Sequence, residues 1–246
     1  MSKLYQGVVL EKKNITEDLI SLKFKASQRI PFEPGQFLSL VVPAKEGLPS
    51  VKRAYSFALG PNHSEKQGYE LCIRLVHGGR SARFLETLSE GGRFEFYAPY
   101  GEFRYRSSPS KSVVWIATGS GIAPFRTFLE SSLWHSEPPQ NSLLLFGART
   151  LEQLLYPGEF EAQGVQRVNC VSRSSEPGAH YFQGRVTDYL RQLPLDWLWK
   201  EADFYMCGGS EMVQEVRHIL MHERGVSDTS IFEESFSPAV FLKEAA

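Results

Sequence analysis

The chain has 246 residues, 42% of them hydrophobic and 22% charged, and a formal net charge of −1, which describes a soluble globular protein long enough for one large or two ordinary domains. No apolar run reaches bilayer-spanning length, the first twenty residues mix charge with apolar side chains, and the three cysteines lie far apart. These features argue against a signal peptide, a membrane anchor, a disulfide framework and any iron–sulfur or zinc spacing, so a cytoplasmic monomer is expected.

In chain order, the first half reads as short strands: LYQGVVLEKK, LISLKFKA, QFLSLVVP, RAYSFALG, YELCIRLVH and RFEFYAPYG, punctuated by Gly, Pro and Asn, with one short helix at SARFLETL (81–88). Many short strands in about a hundred residues predict a closed or nearly closed antiparallel barrel. After residue 112 strands and helices alternate. VVWIA leads to a helix from Ile122 to Trp134, and SLLLFGA to a segment through LLYPGEFEA. VQRVNCVS leads to RVTDYLRQL, DFYMCG to SEMVQEVRHILMHERG, and SIFEESF closes the series. That rhythm predicts a parallel sheet with helices on both faces.

Charge divides at the same place. Residues 1–108 hold 16 Lys and Arg against 11 Asp and Glu, a net of +5, leaving −6 for the remainder. The change falls at RSSPSK (106–111), so domains of 1–108 and 109–246 are expected. A mildly basic half lacks the concentrated basic face of a nucleic-acid binder, yet it can steer an acidic protein partner.

TGSGIAP (118–124) follows a strand and opens a helix, as a dinucleotide loop does, but Pro124 stands where a third glycine is usual. Proline in the first helical turn loses no needed N–H and presets φ, leaving other N–H groups to face an anion. A plain turn entering a helix reads equally well. Ligands of parallel sheets bind beyond the carboxyl ends of the strands, here TGSG (118–121), GART (147–150), SRSS (172–175) and CGGS (207–210). Arg149 and Arg173 on one rim suit a dianionic group. In the barrel half, RAYS (53–56) offers an arginine for a pyrophosphate, an aromatic to stack on a flat ring and a hydroxyl for a ring nitrogen, the set a flavin needs. GGRSARFL (78–85) adds a Gly-rich helix entry with Ser81 as the expected N-cap.

Taken in order, RAYS, GGRS, TGSGIAP, FGARTLEQLLY, the Ser172–Arg173 pair, YMCGGSEM and a late acidic–aromatic strand resemble the ferredoxin–NADP(+) reductase family over nearly the whole chain. In that family the nicotinamide loop carries proline where Pro124 stands. The resemblance implies an FAD-binding barrel followed by an NADP-binding α/β domain, with Arg53, Tyr55, Ser56, Ile73, Leu75, Gly79, Arg80 and Ser81 on FAD. Thr118, Gly119, Gly121 and Pro124 would hold the NADP pyrophosphate, with Gly208 and Met212 close by.

The resemblance also puts Cys207 beside the nicotinamide, though a buried cysteine is more often a small hydrophobe. Glu234 and Phe236 would reach the other flavin face, Glu233 competing for the acidic role and E-x-aromatic spacing favouring Glu234. The implied chemical residues are Ser56, Cys207 and Glu234. Ser172, Arg173, Arg149, Tyr181, Gln183 and Arg185 would select NADPH, since an acidic residue that would accept the 2′-OH of NADH is missing after the third strand. No metal is expected. The electron acceptor would be a separate acidic carrier, a ferredoxin or flavodoxin. An NADH-linked reductase component of an oxygenase, a free-flavin reductase and a non-catalytic electron-relay subunit are the alternatives. The tail after Phe236 would cover a cofactor or lie on the surface.

Overall fold

A computed structural model of the protein describes residues 2–45, 47–106, 109–174, 180–197 and 199–236. The first half contains strands β1 (Lys3–Thr16), β2 (Leu19–Ala26), β3 (Phe37–Val42), β4 (Val51–Ser56), β5 (Tyr69–Arg74) and β6 (Arg93–Tyr100), with helices α1 (Pro61–Gln67) and α2 (Arg80–Thr87). The strands form one antiparallel sheet in the order β4-β3-β6-β1-β2-β5. Its two edges meet just beyond β4, where Phe57 bridges Leu71 and the Ala58 amide donates to the Glu70 carbonyl at 2.8 Å. The barrel therefore closes along one short seam, immediately after the RAYS segment. Alternation turns Phe24, Phe94 and Phe96 inward, where their rings pack at 5.2–5.7 Å.

The second half contains β7 (Ser112–Thr118), α3 (Ala123–Phe128), α4 (Ser132–Ser136), β8 (Ser142–Ala148), β9 (Gln166–Val171), β10 (Phe182–Gln183), α5 (Val186–Gln192), β11 (Ala202–Gly209), α6 (Ser210–His218) and β12 (Ile231–Phe236). Its sheet is parallel throughout, in the order β10-β9-β8-β7-β11-β12. From β7 the chain winds outward to β10, then crosses back to place β11 on the other side of β7. The crevice between β7 and β11 is thus the switch point at which such sheets bind ligands. Val113, Trp115 and Ala117 pack on one face with Phe125 and Phe128, while Val114 and Ile116 pack on the other with Val186, Leu190, Val213 and Val216. Two-sided burial is why these strands read as unbroken apolar runs.

The structure departs from the sequence reading in places. The helix expected from Ile122 to Trp134 is two helices, α3 and α4, because the chain tightens after Phe128 (Glu130 N–H to Thr127 O, 3.0 Å; Ser131 N–H to Phe128 O, 2.9 Å) and Ser131 turns extended. Helix α1 went unread because PNHSEKQ has no apolar periodicity; Pro61 starts it and Gly68, at φ 89°, ends it. Ser81 is not the cap of α2: Gly79 takes that position with no side-chain bond, which leaves the Ser81 hydroxyl for another contact. The segment through LLYPGEFEA holds two short 3₁₀ turns, Leu151–Gln153 and Glu161–Gln163. Residues 107 and 108, at the expected domain boundary, and the tail after Phe236 lie outside the described residues.

The halves share one core. Leu19, Ala58 and Cys72 from the barrel belong to the same buried cluster as Trp115, Phe125, Phe128 and Tyr205. Phe103 and Tyr105, on the strap leaving β6, pack into that cluster, and the Tyr205 hydroxyl accepts from the Arg106 amide at 3.0 Å.

Candidate active site at the sheet crevice

The loop after β7 is shaped for close approach. Gly119 adopts φ 53°, and Gly121 sits so tightly on β11 that a Cβ would strike the Cys207 carbonyl. Gly208, at φ 156°, faces the Thr118 side chain just as closely, and a Cβ there would also meet Met212 Cε at 2.7 Å. TGSG and CGGS therefore pack backbone on backbone at the mouth of the crevice, where side chains would otherwise hold them apart. Pro124 lies in the first turn of α3, and its carbonyl accepts from the Thr127 hydroxyl at 2.7 Å.

Parallel pairing puts Cys207 directly opposite Glu234. The Cys207 thiol is pushed well above its ordinary range, first by burial and then by the Glu234 charge. Glu234 is raised to about 7 by burial, partly offset by the nearby Ser56 hydroxyl. No hydrogen bond forms to either Ser56 Oγ or Glu234 Oε2, although both are buried. Ser56, Cys207 and Glu234, drawn from three strands in two sheets, meet at one point. Glu233 is engaged elsewhere, its carboxylate pairing with Arg217 at 3.2 Å. Phe236 ends β12 opposite Gly209.

Around the barrel end of this point, burial raises the Tyr55 hydroxyl, while its hydrogen bond to Ser81 and the charge of Arg53 pull the other way. Three of the expected flavin ligands thus cluster through side chains. The Arg80 guanidinium is already held by the carbonyls of Pro49 (2.8 Å) and Pro43 (3.2 Å). Leu75 is half-buried against the barrel core and the Ile73 side chain is wholly enclosed in it, so any contact from Ile73 would come from its backbone.

On the far rim, Ser172 and Arg173 follow β9, and the Arg173 amide donates to the Arg149 carbonyl at 2.8 Å; both side chains are exposed, and the Arg149 guanidinium lies 3.9 Å from the Asp18 carboxylate. Tyr181 bonds Ser174 at 3.2 Å, exposed Gln183 ends β10, and Arg185 caps α5, its amide donating to Asp188 at 2.8 Å.

Sequence reading missed several neighbours. Phe37 and Tyr100 stack at 5.8 Å beside Gly101, close to Glu234. Asp18, in the β1–β2 turn, pairs with Arg74 at 2.7 Å and accepts from Gln153 at 3.1 Å, joining the halves next to Gly119, which Arg74 covers. No local motif marks Asp18; it is one carboxylate among many until the fold brings Gln153 to it.

An antiparallel barrel joined to a parallel sheet with a glycine-lined switch point is matched, half by half, by oxidoreductase domains for a flavin and a pyridine nucleotide. The description "Oxidoreductase FAD-binding domain" matches residues 6–105 and "Oxidoreductase NAD-binding domain" residues 115–218. Ferredoxin–NADP reductase B of Sorangium cellulosum (strain So ce56) is 32% identical over 214 residues, covering 83% of this chain and 85% of that protein. The reductase component DmpP of phenol 2-monooxygenase from Pseudomonas sp. (strain CF600) is 28% identical over 96% of this chain, which spans only 66% of that relative. Amycolatopsis cytochrome P450 reductase GcoB superposes with a TM-score of 0.81 at 26% identity, over 96% of this chain and 71% of that one. The chain belongs to the ferredoxin–NADP reductase family of FAD-binding and NAD(P)-binding oxidoreductases. Among the described residues no helix is long and apolar enough to cross a membrane.

The site fits the cofactors that membership implies. Two buried polar atoms without partners, Ser56 Oγ and Glu234 Oε2, stand ready for a polar ring edge, and Gly121 and Gly208 let the loop after β7 pack directly on β11, where a Cβ would clash.

Proposed function

We propose that this protein carries electrons from NADPH through bound FAD to an acidic one-electron carrier of the ferredoxin or flavodoxin kind. The convergence of Ser56, Cys207 and Glu234 beside the Thr118–Gly121 loop supports this reading above all, because it joins the expected flavin side to the nucleotide side. FAD, when bound, supplies the ability to accept two electrons and release them singly, which no side chain has. Arg53, Tyr55, Ser81 and the Gly79 entry to α2 would hold and orient it, with the Ser56 hydroxyl available to donate to it. Glu234, neutral below about pH 7, holds a proton next to that hydroxyl. The Cys207 thiol stays protonated and packs as a small neutral group.

Arg149 and Arg173, with Arg185 farther along the rim, favour the 2′-phosphate of NADPH. Charge-assisted contacts contribute about 1.5 to 3 kcal/mol each, so two of them would give a preference of about a hundredfold or more. The relatives named as oxygenase reductase components favour a second reading, delivery of electrons to an oxygenase. The test is steady-state kinetics with NADPH and NADH against a ferredoxin, a flavodoxin and free FMN, for wild type and Arg173→Ala. Preference for NADPH, lost in Arg173→Ala, with carrier reduction that weakens as salt rises, supports the proposal. Equal use of NADH by the wild type, or turnover with free FMN alone, contradicts it.

A further inference from the structure

Helix α3 leaves the nucleotide loop directly, and three of the residues that follow that loop reach across to the barrel. The Thr127 hydroxyl accepts from the Gly35 amide at 2.7 Å while donating to Pro124 O, which links the barrel to the loop in two bonds. Glu130 accepts from the Gly60 amide at 2.8 Å and pairs with His63 Nδ1 at 2.9 Å. Arg126, one residue before Thr127, is only 15% exposed. Its guanidinium forks onto Glu159 (2.6 and 3.2 Å), donates to Ala58 O at 2.8 Å and to Glu70 at 3.0 Å, and lies 4.2 Å over the Tyr156 ring. Burial alone would lower the Arg126 pKa, but Tyr156, Glu70 and Glu159 more than reverse this, so the cation is permanent.

The place where Arg126 lands matters. Ala58 and Glu70 are the two residues whose backbone hydrogen bond closes the barrel seam, and Ala58 lies two residues beyond Ser56. Buried ion pairs contribute little net stability compared with apolar packing, but the bidentate fork onto Glu159, in the same half as α3, fixes the direction in which Nη1 reaches Ala58 O and Glu70. Apolar contact between the halves is already supplied by Phe125, Phe128, Leu19 and Ala58. What Arg126 adds is registry.

We propose that Arg126 is a positioning residue, which sets the nucleotide loop against Ser56 by tying α3 to the barrel seam at Ala58 and Glu70. This inference rests on the function proposed above for its kinetic consequence, but not for its structural one. Misplacement of reacting groups by about 1 Å costs on the order of 10²-fold in rate, so loss of the fork acts on transfer between nucleotide and flavin rather than on either affinity.

The experiment compares FAD-loaded wild type with Arg126→Lys, which keeps the charge and loses the fork, and with Glu159→Gln, which changes a half-exposed partner and tolerates folding if Arg126→Lys does not. The measurements are melting temperature, NADP⁺ affinity from the flavin difference spectrum, the stopped-flow rate of flavin reduction by NADPH, and hydrogen exchange over residues 56–60 and 118–123. Expected for Arg126→Lys is a rate lower by about 10- to 100-fold, with unchanged FAD content and NADP⁺ affinity and faster exchange in both segments; Glu159→Gln follows in the same direction with a smaller effect. A reduction rate equal to wild type, or a rate loss that only tracks lowered melting temperature and lost FAD, overturns the inference. If neither nucleotide reduces the wild type, the proposed function fails, and unchanged exchange in Arg126→Lys would then still overturn the positioning role.

Discussion

The two halves of the molecule build their parts of the site by opposite means. The barrel presents side chains: Tyr55 reaches Ser81, Arg53 stands alongside, and Ser56 turns to the other face of the strand. The α/β half relies on the absence of side chains, with buried Gly119, Gly121 and Gly208 letting loop and strand close on one another while Arg149, Arg173 and Arg185 stay out on the rim. A site made of side chains degrades gradually when one is trimmed. A site made of close backbone contact fails when one methyl group is added.

The largest effect is therefore expected from Gly121→Ala. Its Cβ meets the rigid backbone of β11 and cannot be relieved by a rotamer change. Overpacking of this kind costs about 1–3 kcal/mol, which for a chain of this size lowers the melting temperature by roughly 2–12 °C, and nucleotide binding is lost with it. Gly209→Ala, at the N-cap of α6 with open space around its Cβ at φ −61°, is the control, with a clearly smaller loss of melting temperature that reflects only the poorer cap. Equal melting of the two variants would erase the contrast between the halves. A smaller, graded effect is expected from Tyr55→Ala: removing an aromatic face forfeits about 0.5–1.5 kcal/mol of stacking, so FAD dissociation, followed by its fluorescence, strengthens by roughly two- to tenfold while the fold persists. Tight FAD retention in Tyr55→Ala would remove the side-chain half of the comparison.

This contrast also explains what the sequence disclosed. Glycine loops and the RAYS strand are local, so their residue types announce them; the strand order, and with it the switch point between β7 and β11, is set by long-range pairing that no local pattern carries. Arg126 was invisible as a clamp because Ala58 and Glu70 lie 68 and 56 residues away along the chain, and nothing local distinguishes it from a surface arginine on a helix. The break after Phe128 escaped for the same reason: Glu130 is drawn to Gly60 and His63, partners no periodicity reveals. A Ser81 cap follows from a local rule, whereas the fold starts α2 at Gly79 and brings Tyr55 of β4 next to the Ser81 hydroxyl.

The point at which both halves meet is Glu234. Its folded pKa, about 7, lies above the ordinary carboxylate value, so the neutral form is favoured in the folded protein, and the associated stabilisation is complete at low pH and lost as pH rises through 7. Any proton that Glu234 holds for transfer disappears over the same interval. The most direct measurement is the pre-steady-state rate of flavin reduction and of electron delivery to a carrier, from pH 5.5 to 8.5, in wild type and Glu234→Gln. Expected is a wild-type rate that falls through about pH 7, and a variant that retains FAD, is slower by about tenfold or more at low pH, and shows no inflection. A Glu234→Gln protein as fast as wild type, with the same inflection, would contradict the assignment of the Ser56–Cys207–Glu234 junction as the electron-transfer centre.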